Sequence, residues 1–259
     1  PNPLVSGKGI AILKRHGIRT DVGILEEECR KLNERFFKYM QTGKPFVTLK
    51  YAQTADGRIA TATGHSRWIS SPASLKYAHR LRSSHDAILV GIGTVMQDDP
   101  ELTVRLVRGR NPLRVVVDPR LKIPIDARVL KDQDKAETII ISTFAADEKK
   151  INCIRGMGVE IICVDADAEG RVDIEKLLSV LGGRGISSLL VEGGASIITT
   201  FIRNRLVDRL LVVVAPKIVG KGIEAVGDLG IICMEDARLI SSMKVHKKGD
   251  DFIIDGKFK

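Results

Sequence analysis

The chain has 259 residues, of which 44% are hydrophobic and 28% are charged, so it can bury the core of one large domain and is neither disordered nor fibrous. No apolar run reaches the roughly 18 residues of a membrane span, no secretory signal is visible, and the four cysteines are too scattered for a disulfide framework, so we expect a cytoplasmic protein with no membrane partner. The net charge of +9 suits phosphorylated ligands or nucleic acid, but an aromatic content of 4% argues against a base-stacking surface.

The predicted elements alternate between helix and strand along most of the chain. Helices are expected at 8–16, 25–41, 73–83, 146–156, 173–182 and 195–204. Strands are expected at 45–52, 86–91, 113–117, 138–143, 159–164, 187–192 and 209–219. This alternation predicts right-handed crossovers and an α/β fold with a mostly parallel central sheet and helices on both faces. Segments 239–247 and 251–258 flank Gly249-Asp250 and predict an antiparallel hairpin at one edge.

The first strand and the loop after it each contain a candidate for ligand contact. Lys50 lies in an apolar strand, where an unpaired ammonium is unfavourable, so it should face a cleft, a carboxylate or an anion; a structural lysine is the alternative. Trp68, the only tryptophan, lies in a polar loop. Its ring suits stacking on a flat ligand, and core packing is the alternative.

The segment after strand 86–91 matches a dinucleotide-binding signature only in part. Gly91-Ile92-Gly93 supplies two glycines, but the third would fall on Met96, so the sequence argues against a Rossmann fold. The acids Asp98 and Asp99 precede Pro100. They are either part of a site or a helix stop with a solvated pair.

A third candidate region follows the apolar run Leu189 to Val191. Glu192, two glycines and small residues separate this strand from the next helix. Glycines leave room for a ligand near the backbone, and the N–H groups that open a helix favour an anion such as a phosphate. The alternative is an ordinary strand-to-helix turn with a solvated Glu192.

Six ordered blocks together resemble the reductase domain of the bacterial bifunctional riboflavin-biosynthesis deaminase/reductase. They are LKYAQTADGRIA (49–60), GHSRWISS (64–71), LRSSHDAILVGIGTVMQDDPELTVR (81–105), RVVVDPRL (114–121), LLVEGGASIITTFI (189–202) and APKIVG (215–220). The resemblance implies a dihydrofolate-reductase-like fold, which holds NADPH across the carboxyl ends of its strands. It also implies a homodimer.

The resemblance assigns site residues by position in these blocks. It implies NADPH contacts from Ala52, Trp68, Thr94, Asp98, Gly194, Ala195, Ser196, Ile197, Ile198, Thr199 and Thr200. It implies substrate contacts from Ser66, Arg82, Leu102, Arg105 and Glu192. Pro119 stands where the family often has a small polar residue near the cofactor. Without the resemblance, Arg82 is a solvated helix residue and Arg105 forms a salt bridge at a strand edge.

The implied reaction is the NADPH-dependent reduction of 5-amino-6-(5-phosphoribosylamino)uracil to its ribitylamino product. The two guanidiniums would recognise the phosphate, while Glu192 would accept from sugar hydroxyls or pyrimidine N–H groups. Lys50, coupled to Asp98, is the candidate for orienting the sugar or assisting proton transfer. No nucleic-acid partner is expected.

Residues 1–43 resemble the end of the family's deaminase domain and its connector, and 44–259 the reductase domain. The zinc motifs of the deaminase are missing, because no histidine begins His-x-Glu and no pair of cysteines forms Cys-x-x-Cys. We therefore expect no metal and no deaminase activity. Because the chain begins Pro-Asn-Pro, we expect a fragment, with a free-standing reductase that has a vestigial leader as the alternative.

Two other functions are compatible with the sequence. One is a reductase that acts on the 2,5-diaminopyrimidinone before deamination. The other is a catalytically idle basic module that binds nucleotides or nucleic acid.

Overall fold

The computed structural model describes Asn2 and residues 5–258, so Pro1, Pro3 and Leu4 of the predicted segment 1–43, and Lys259 at the other end, lie outside the described residues. The α-helices of the described part are α1 (Lys8–Arg15), α2 (Glu26–Leu32), α3 (Glu34–Thr42), α4 (Pro72–Ser83), α5 (Ile92–Asp98), α6 (Glu148–Arg155), α7 (Ile174–Gly183) and α8 (Ala195–Arg203). Its strands are β1 (Phe46–Thr54), β2 (Arg58–Thr61), β3 (Ala87–Gly91), β4 (Leu113–Val117), β5 (Thr138–Thr143), β6 (Glu160–Val164), β7 (Ser188–Glu192), β8 (Arg209–Ala215), β9 (Gly222–Glu224), β10 (Ile240–Lys248) and β11 (Asp251–Phe258). Short 3₁₀ helices span Arg128–Leu130 and Met234–Asp236.

A nine-stranded sheet forms the centre of the molecule, in the order β10-β11-β8-β1-β7-β3-β4-β5-β6. The seven strands from β8 to β6 are parallel, whereas β11 pairs antiparallel with both β8 and β10. Helices cover both faces, which explains why the central strands are almost wholly apolar. Along β4, Val115 and Val117 join one apolar cluster and Val116 joins the other. The predicted α/β architecture, with its C-terminal hairpin, is confirmed.

Two predicted elements differ from the observed ones, and one observed element was not predicted. The expected helix 25–41 is interrupted at Asn33, whose side-chain amide donates to the Cys29 carbonyl at 2.9 Å and competes with the helical pattern. The expected strand 209–219 ends at Ala215, because Pro216 has no N–H to continue the ladder. The small sheet of β2 and β9 was not predicted at all.

Helix α3 is attached to the amino-end edge of the sheet. The Lys38 ammonium forms an ion pair with Asp208, and the Tyr39 hydroxyl donates to the Gly182 carbonyl at 3.0 Å. The approach is so close that a β-carbon on Gly182 would lie 1.8 Å from the Gly43 carbonyl oxygen. Only glycine therefore fits where α7 meets the connection into β1.

No helix in the described part of the chain is long and apolar enough to cross a bilayer. The carboxyl ends of the parallel strands meet at the edge opposite α3. Ligands bind at this edge in open α/β sheets, so the loops there are the place to look for a site.

Candidate active site

Two cavities lie side by side at the carboxyl ends of the strands. The larger, of about 490 Å³, contains Lys50 on β1, Arg82 on α4 and Glu192 on β7. The smaller, of about 360 Å³, lies between the first turns of α5 and α8. Both are lined by Gly93, Thr94, Gly194 and Ala195, so together they form one elongated cleft.

Lys50, Arg82 and Glu192 form a charged triad at the floor of the larger cavity. The register of β1 and β7 pairs Lys50 with Glu192. The Arg82 guanidinium donates to Oε2 of Glu192 at 2.7 Å, and these two side chains are only 15% and 13% exposed. Oε1 of Glu192 and Nε of Arg82 are buried and find no hydrogen-bond partner among the described residues. Such atoms are the ones a polar ligand would satisfy.

The electrostatics of the triad set the protonation states of its members. Burial disfavours the Glu192 carboxylate, but the charges of Arg82 and Lys50 and the hydrogen bond from Arg82 outweigh it and lower the pKa of Glu192 to about 2. Burial, with a smaller effect of the Arg82 charge, lowers the pKa of Lys50, while Glu192 opposes this change. Because its pKa is lowered, Lys50 gives up its proton more readily than an exposed lysine.

Asp98 is engaged elsewhere than predicted. Its carboxylate accepts from the Ser66 hydroxyl at 3.2 Å, and its backbone carbonyl accepts from the Arg67 guanidinium. The charges that alter the pKa of Lys50 are those of Glu192 and Arg82, and Asp98 is not among them. The coupling of Lys50 to Asp98 stays a prediction, and Glu192 is the carboxylate that the strand register places beside Lys50. Asp98 and Ser66 still line the larger cavity.

Two of the glycines at the cleft, Gly91 and Gly193, serve packing. A β-carbon on Gly91 would lie 2.7 Å from Cγ1 of Ile197, and one on Gly193 would lie 3.0 Å from the same side chain. These two glycines let the first turn of α8 pack onto the strand ends. The expectation that Gly193 leaves room for a ligand is corrected, whereas Gly194 is open, with only Thr94 within contact distance of an added β-carbon.

The amino end of α8 faces both cavities. Gly194 precedes the helix, and no side chain of the described residues caps it. The first N–H groups of α8 therefore keep the partial positive charge that favours an anion.

Most of the predicted site residues line the cleft, and three do not. Those in the larger cavity are Lys50, Ala52, Ser66, Trp68, Arg82, Thr94, Asp98, Leu102, Glu192, Gly194 and Ala195. Those in the smaller cavity include Thr94, Pro119, Gly194, Ala195, Ser196, Ile197 and Thr200. Trp68 is 69% exposed, so it is not part of the core, and its stacking on a ligand stays a prediction.

Of the three residues outside the cleft, Ile198 and Thr199 have packing roles and Arg105 lies in another groove. Ile198 is fully buried in the apolar core. Thr199 is buried, donates to the Ala195 carbonyl at 2.6 Å and accepts from the Gly227 N–H at 2.8 Å. Side-chain contacts from these two to a ligand do not fit their positions. Arg105 lines a separate basic groove and pairs with Glu101.

His79 is a charged-site neighbour that the sequence did not reveal. It is buried on α4, and its Nδ1 accepts from the Arg105 backbone N–H at 3.0 Å. Burial and the charges of Arg82 and Arg105 lower the pKa of His79 to about 4. In the sequence, His79 is only one residue of the predicted helix 73–83. No local pattern links it to residue 105.

Comparison with known proteins finds the family described as RibD C-terminal domain over residues 45–250. The chain is 42% identical to the riboflavin biosynthesis protein RibD of Aquifex aeolicus over 255 residues, which cover 98% of this chain and 69% of that protein. Among solved structures, a diaminohydroxyphosphoribosylaminopyrimidine deaminase/5-amino-6-(5-phosphoribosylamino)uracil reductase from Thermotoga maritima has a TM-score of 0.84 at 33% identity, covering 100% of this chain and 69% of that one. The riboflavin biosynthesis reductase Rib7 of Saccharomyces cerevisiae has a TM-score of 0.67 at 25% identity, covering 88% and 99%.

Proposed function

The chain belongs to the RibD C-terminal domain family and is a pyrimidine reductase of riboflavin biosynthesis, and we propose that it reduces 5-amino-6-(5-phosphoribosylamino)uracil with NADPH. The family confirms the resemblance inferred from the six sequence blocks. The observation that carries the proposal is the partly buried triad of Lys50, Arg82 and Glu192 in the larger cavity, which adjoins the smaller cavity.

The residues of the cleft fit a nicotinamide dinucleotide. The uncapped amino end of α8 suits its pyrophosphate, and the smaller cavity, lined by Val117, Pro119 and Val172, suits the adenosine half. Trp68 and Ala52 line the larger cavity, where the nicotinamide would meet the substrate. When bound, NADPH supplies the hydride, and the protein binds, orients and manages protons.

We assign NADPH rather than NADH from the basic character of the chain and from the smaller cavity. Arg171 lines this cavity, and its guanidinium pairs with Asp167 at 2.8 Å and with Glu169 at 2.7 Å. A guanidinium at the adenosine end that exchanges the exposed Glu169 for the ligand is suited to a 2′-phosphate.

The triad supplies the proton chemistry of the reduction. Opening of the ribosylamine ring breaks the bond from C1′ to O4′, and the proton lost by the exocyclic nitrogen is balanced by the proton gained by O4′, which leaves an imine at C1′. Addition of hydride at C1′ then requires a proton at the exocyclic nitrogen. Lys50 is the donor, because its lowered pKa favours transfer and Glu192 keeps it beside the sugar. The free Oε1 of Glu192 accepts from a sugar hydroxyl or a pyrimidine N–H.

We assign the substrate phosphate to one arginine, whereas the sequence analysis expected two. Arg82 is committed to Glu192, so two guanidiniums do not converge on a phosphate. Arg105 is the more accessible of the two, and it lies in a groove with Lys76, Arg80 and Arg108. We assign the substrate phosphate to Arg105, which exchanges Glu101 for the ligand.

The homodimer is also part of the proposal. The edge strand β10 exposes Met243 and Val245, and the adjoining Leu239 is exposed as well. An exposed apolar edge is suited to pairing with a second copy. Light scattering of the wild type should give twice the chain mass, and Met243→Glu should shift it toward one chain. A single-chain mass for the wild type at every concentration would contradict dimerisation.

Absorbance of the reduced nicotinamide tests the function directly. Oxidation of NADPH should require the deaminated ribosylaminouracil phosphate, and Lys50→Gln should nearly abolish it. Lys149→Gln removes an exposed charge of the same type on α6 and is the matched control. If NADPH oxidation depends instead on the diaminopyrimidinone, the substrate is that compound and reduction precedes deamination. Salt-sensitive binding of DNA or RNA without any NADPH binding would favour the idle module.

A further inference from the structure

His79 is a buried polar residue that the proposed chemistry leaves unused. It lies in the middle of α4 and is only 6% exposed. Three residues further along the same helix is Arg82 of the triad. Residues three apart lie on the same helical face, so both side chains reach the same neighbouring segment.

That neighbouring segment is Leu102 to Arg105, which connects the larger cavity to the basic groove. His79 accepts the Arg105 backbone N–H at Nδ1, 3.0 Å away. Arg82 donates to the Thr103 carbonyl at 3.4 Å. The helix therefore holds one backbone donor and one backbone acceptor of the same short segment.

The segment needs such support because its own conformation is unusual. Leu102 has a φ of 58°, in the left-handed region that a leucine rarely adopts, and yet it is buried and lines the cavity. Arg105, three residues on, carries the side chain that we assign to the substrate phosphate. A shift of the segment would move Leu102 and Arg105 together.

The acceptor must be an unprotonated ring nitrogen. Burial and two nearby guanidiniums lower the pKa of His79 to about 4, so the imidazole is neutral near pH 7 and Nδ1 is free to accept. An ordinary surface histidine would not offer this acceptor at all times.

We propose that His79 is a positioning residue for substrate binding, which fixes the Leu102–Arg105 segment so that Arg105 meets the substrate phosphate. It acts through Arg105 and does not touch the reacting atoms. The inference rests on the proposed function, because it takes the phosphate of that substrate as the ligand of Arg105.

The test compares phosphorylated and dephosphorylated ribosylaminouracil as substrates of three variants. His79→Ala should raise the KM of the phosphorylated substrate about tenfold, the effect of one lost hydrogen bond, with kcat and the KM of NADPH changed less than about twofold. The KM of the dephosphorylated compound should stay within about twofold. His79→Gln keeps an acceptor and should restore most of the lost affinity. His16→Ala, at an exposed histidine after α1, is the control.

A merely structural role would give a different pattern. If His79→Ala raised the KM of both compounds equally, or if it left both unchanged, the positioning role would be overturned. If His79→Ala does not fold, His79→Gln and calorimetric binding of ribose 5-phosphate decide: affinity close to wild type supports the role, and loss of affinity despite a folded chain overturns it. Failure of the wild type to reduce either pyrimidine would refute the proposed function instead, and ribose 5-phosphate binding would still test His79.

Discussion

Replacing Glu192 with glutamine is the sharpest test of the triad. The substitution keeps the size and shape of the side chain but removes the carboxylate that pairs with Arg82 and lies beside Lys50 in the strand register. The Arg82 guanidinium would then remain in a largely buried site without its counter-charge. We expect Glu192→Gln to destabilise the folded chain strongly and to weaken substrate binding.

The structure gives the size of the effect by two routes. The pKa of Glu192 falls from 4.5 to about 2, which at about 1.4 kcal/mol per unit corresponds to about 3 kcal/mol of folding free energy. Removal of one partner from a buried ion pair costs about 3–5 kcal/mol in general. A loss of about 3 kcal/mol lowers the Tm of a domain of this size by about 6–12 °C.

The sign of the pH dependence follows from the same lowered pKa. A carboxylate whose pKa is lower in the folded state stabilises the fold above its unfolded pKa, and this stabilisation is lost as pH falls from about 4.5 toward about 2. The difference in the free energy of unfolding between the wild type and Glu192→Gln should therefore be largest at pH 7 and smaller at about pH 3.

Urea unfolding at pH 7 measures the difference, with Glu160→Gln as the matched control. Glu160 pairs with Arg184 on the surface, where the two side chains are 45% and 41% exposed, and such pairs contribute about 0–1 kcal/mol. If the two substitutions cost the same, the reasoning about the buried triad is wrong.

Three further predictions concern phosphate, cofactor and metal, and a fourth concerns packing. Arg105→Ala should lower kcat/KM for the phosphorylated substrate about 10- to 150-fold, from the loss of about 1.5–3 kcal/mol, and leave the KM of NADPH unchanged; equal weakening of both ligands would contradict it. Steady-state rates should favour NADPH clearly over NADH, and equal efficiency would argue against a 2′-phosphate site. Chelators should not alter the rate, and the chain should release no ammonia from the diaminopyrimidinone, since the described residues contain no cluster of three potential metal ligands. Stoichiometric zinc together with deamination would contradict this prediction. Gly91→Ala should lower the free energy of unfolding in urea by about 1–3 kcal/mol, because the added β-carbon meets Ile197. Gly9→Ala, where the added β-carbon has open space around it, should not lower it. Equal stability of the two variants would count against this packing.

The parts of the fold that the sequence predicted are those with local signals. Strands such as 113–117 and 138–143 are continuous apolar runs, and they appear with the expected bounds. The small sheet escaped prediction because β2 and β9 are only a few residues long and pair Arg58 with Glu224, which lie far apart along the chain. No local periodicity marks such a pairing.

The site shows the same division between local and non-local information. Lys50 and Glu192 each stood out, one as a charge in an apolar strand and the other as an acid at a strand end. Their pairing requires β1 and β7 to be neighbours, which depends on the order of strands in the sheet. His79 could not be singled out, because its role depends on a backbone contact with residue 105 across the chain.

The attachment of α3 and the place of β11 bear on how this protein can be truncated. The family match spans residues 45–250 and so omits both elements. A fragment cut at those limits would lose the Lys38 contact with Asp208. It would also lose β11, so that β8 would keep only β1 as a neighbour. The apolar strand β8 would then be an exposed edge strand, which favours aggregation. An expressed fragment should therefore contain α3 at one end and Phe258 at the other, and so extend beyond the family match on both sides.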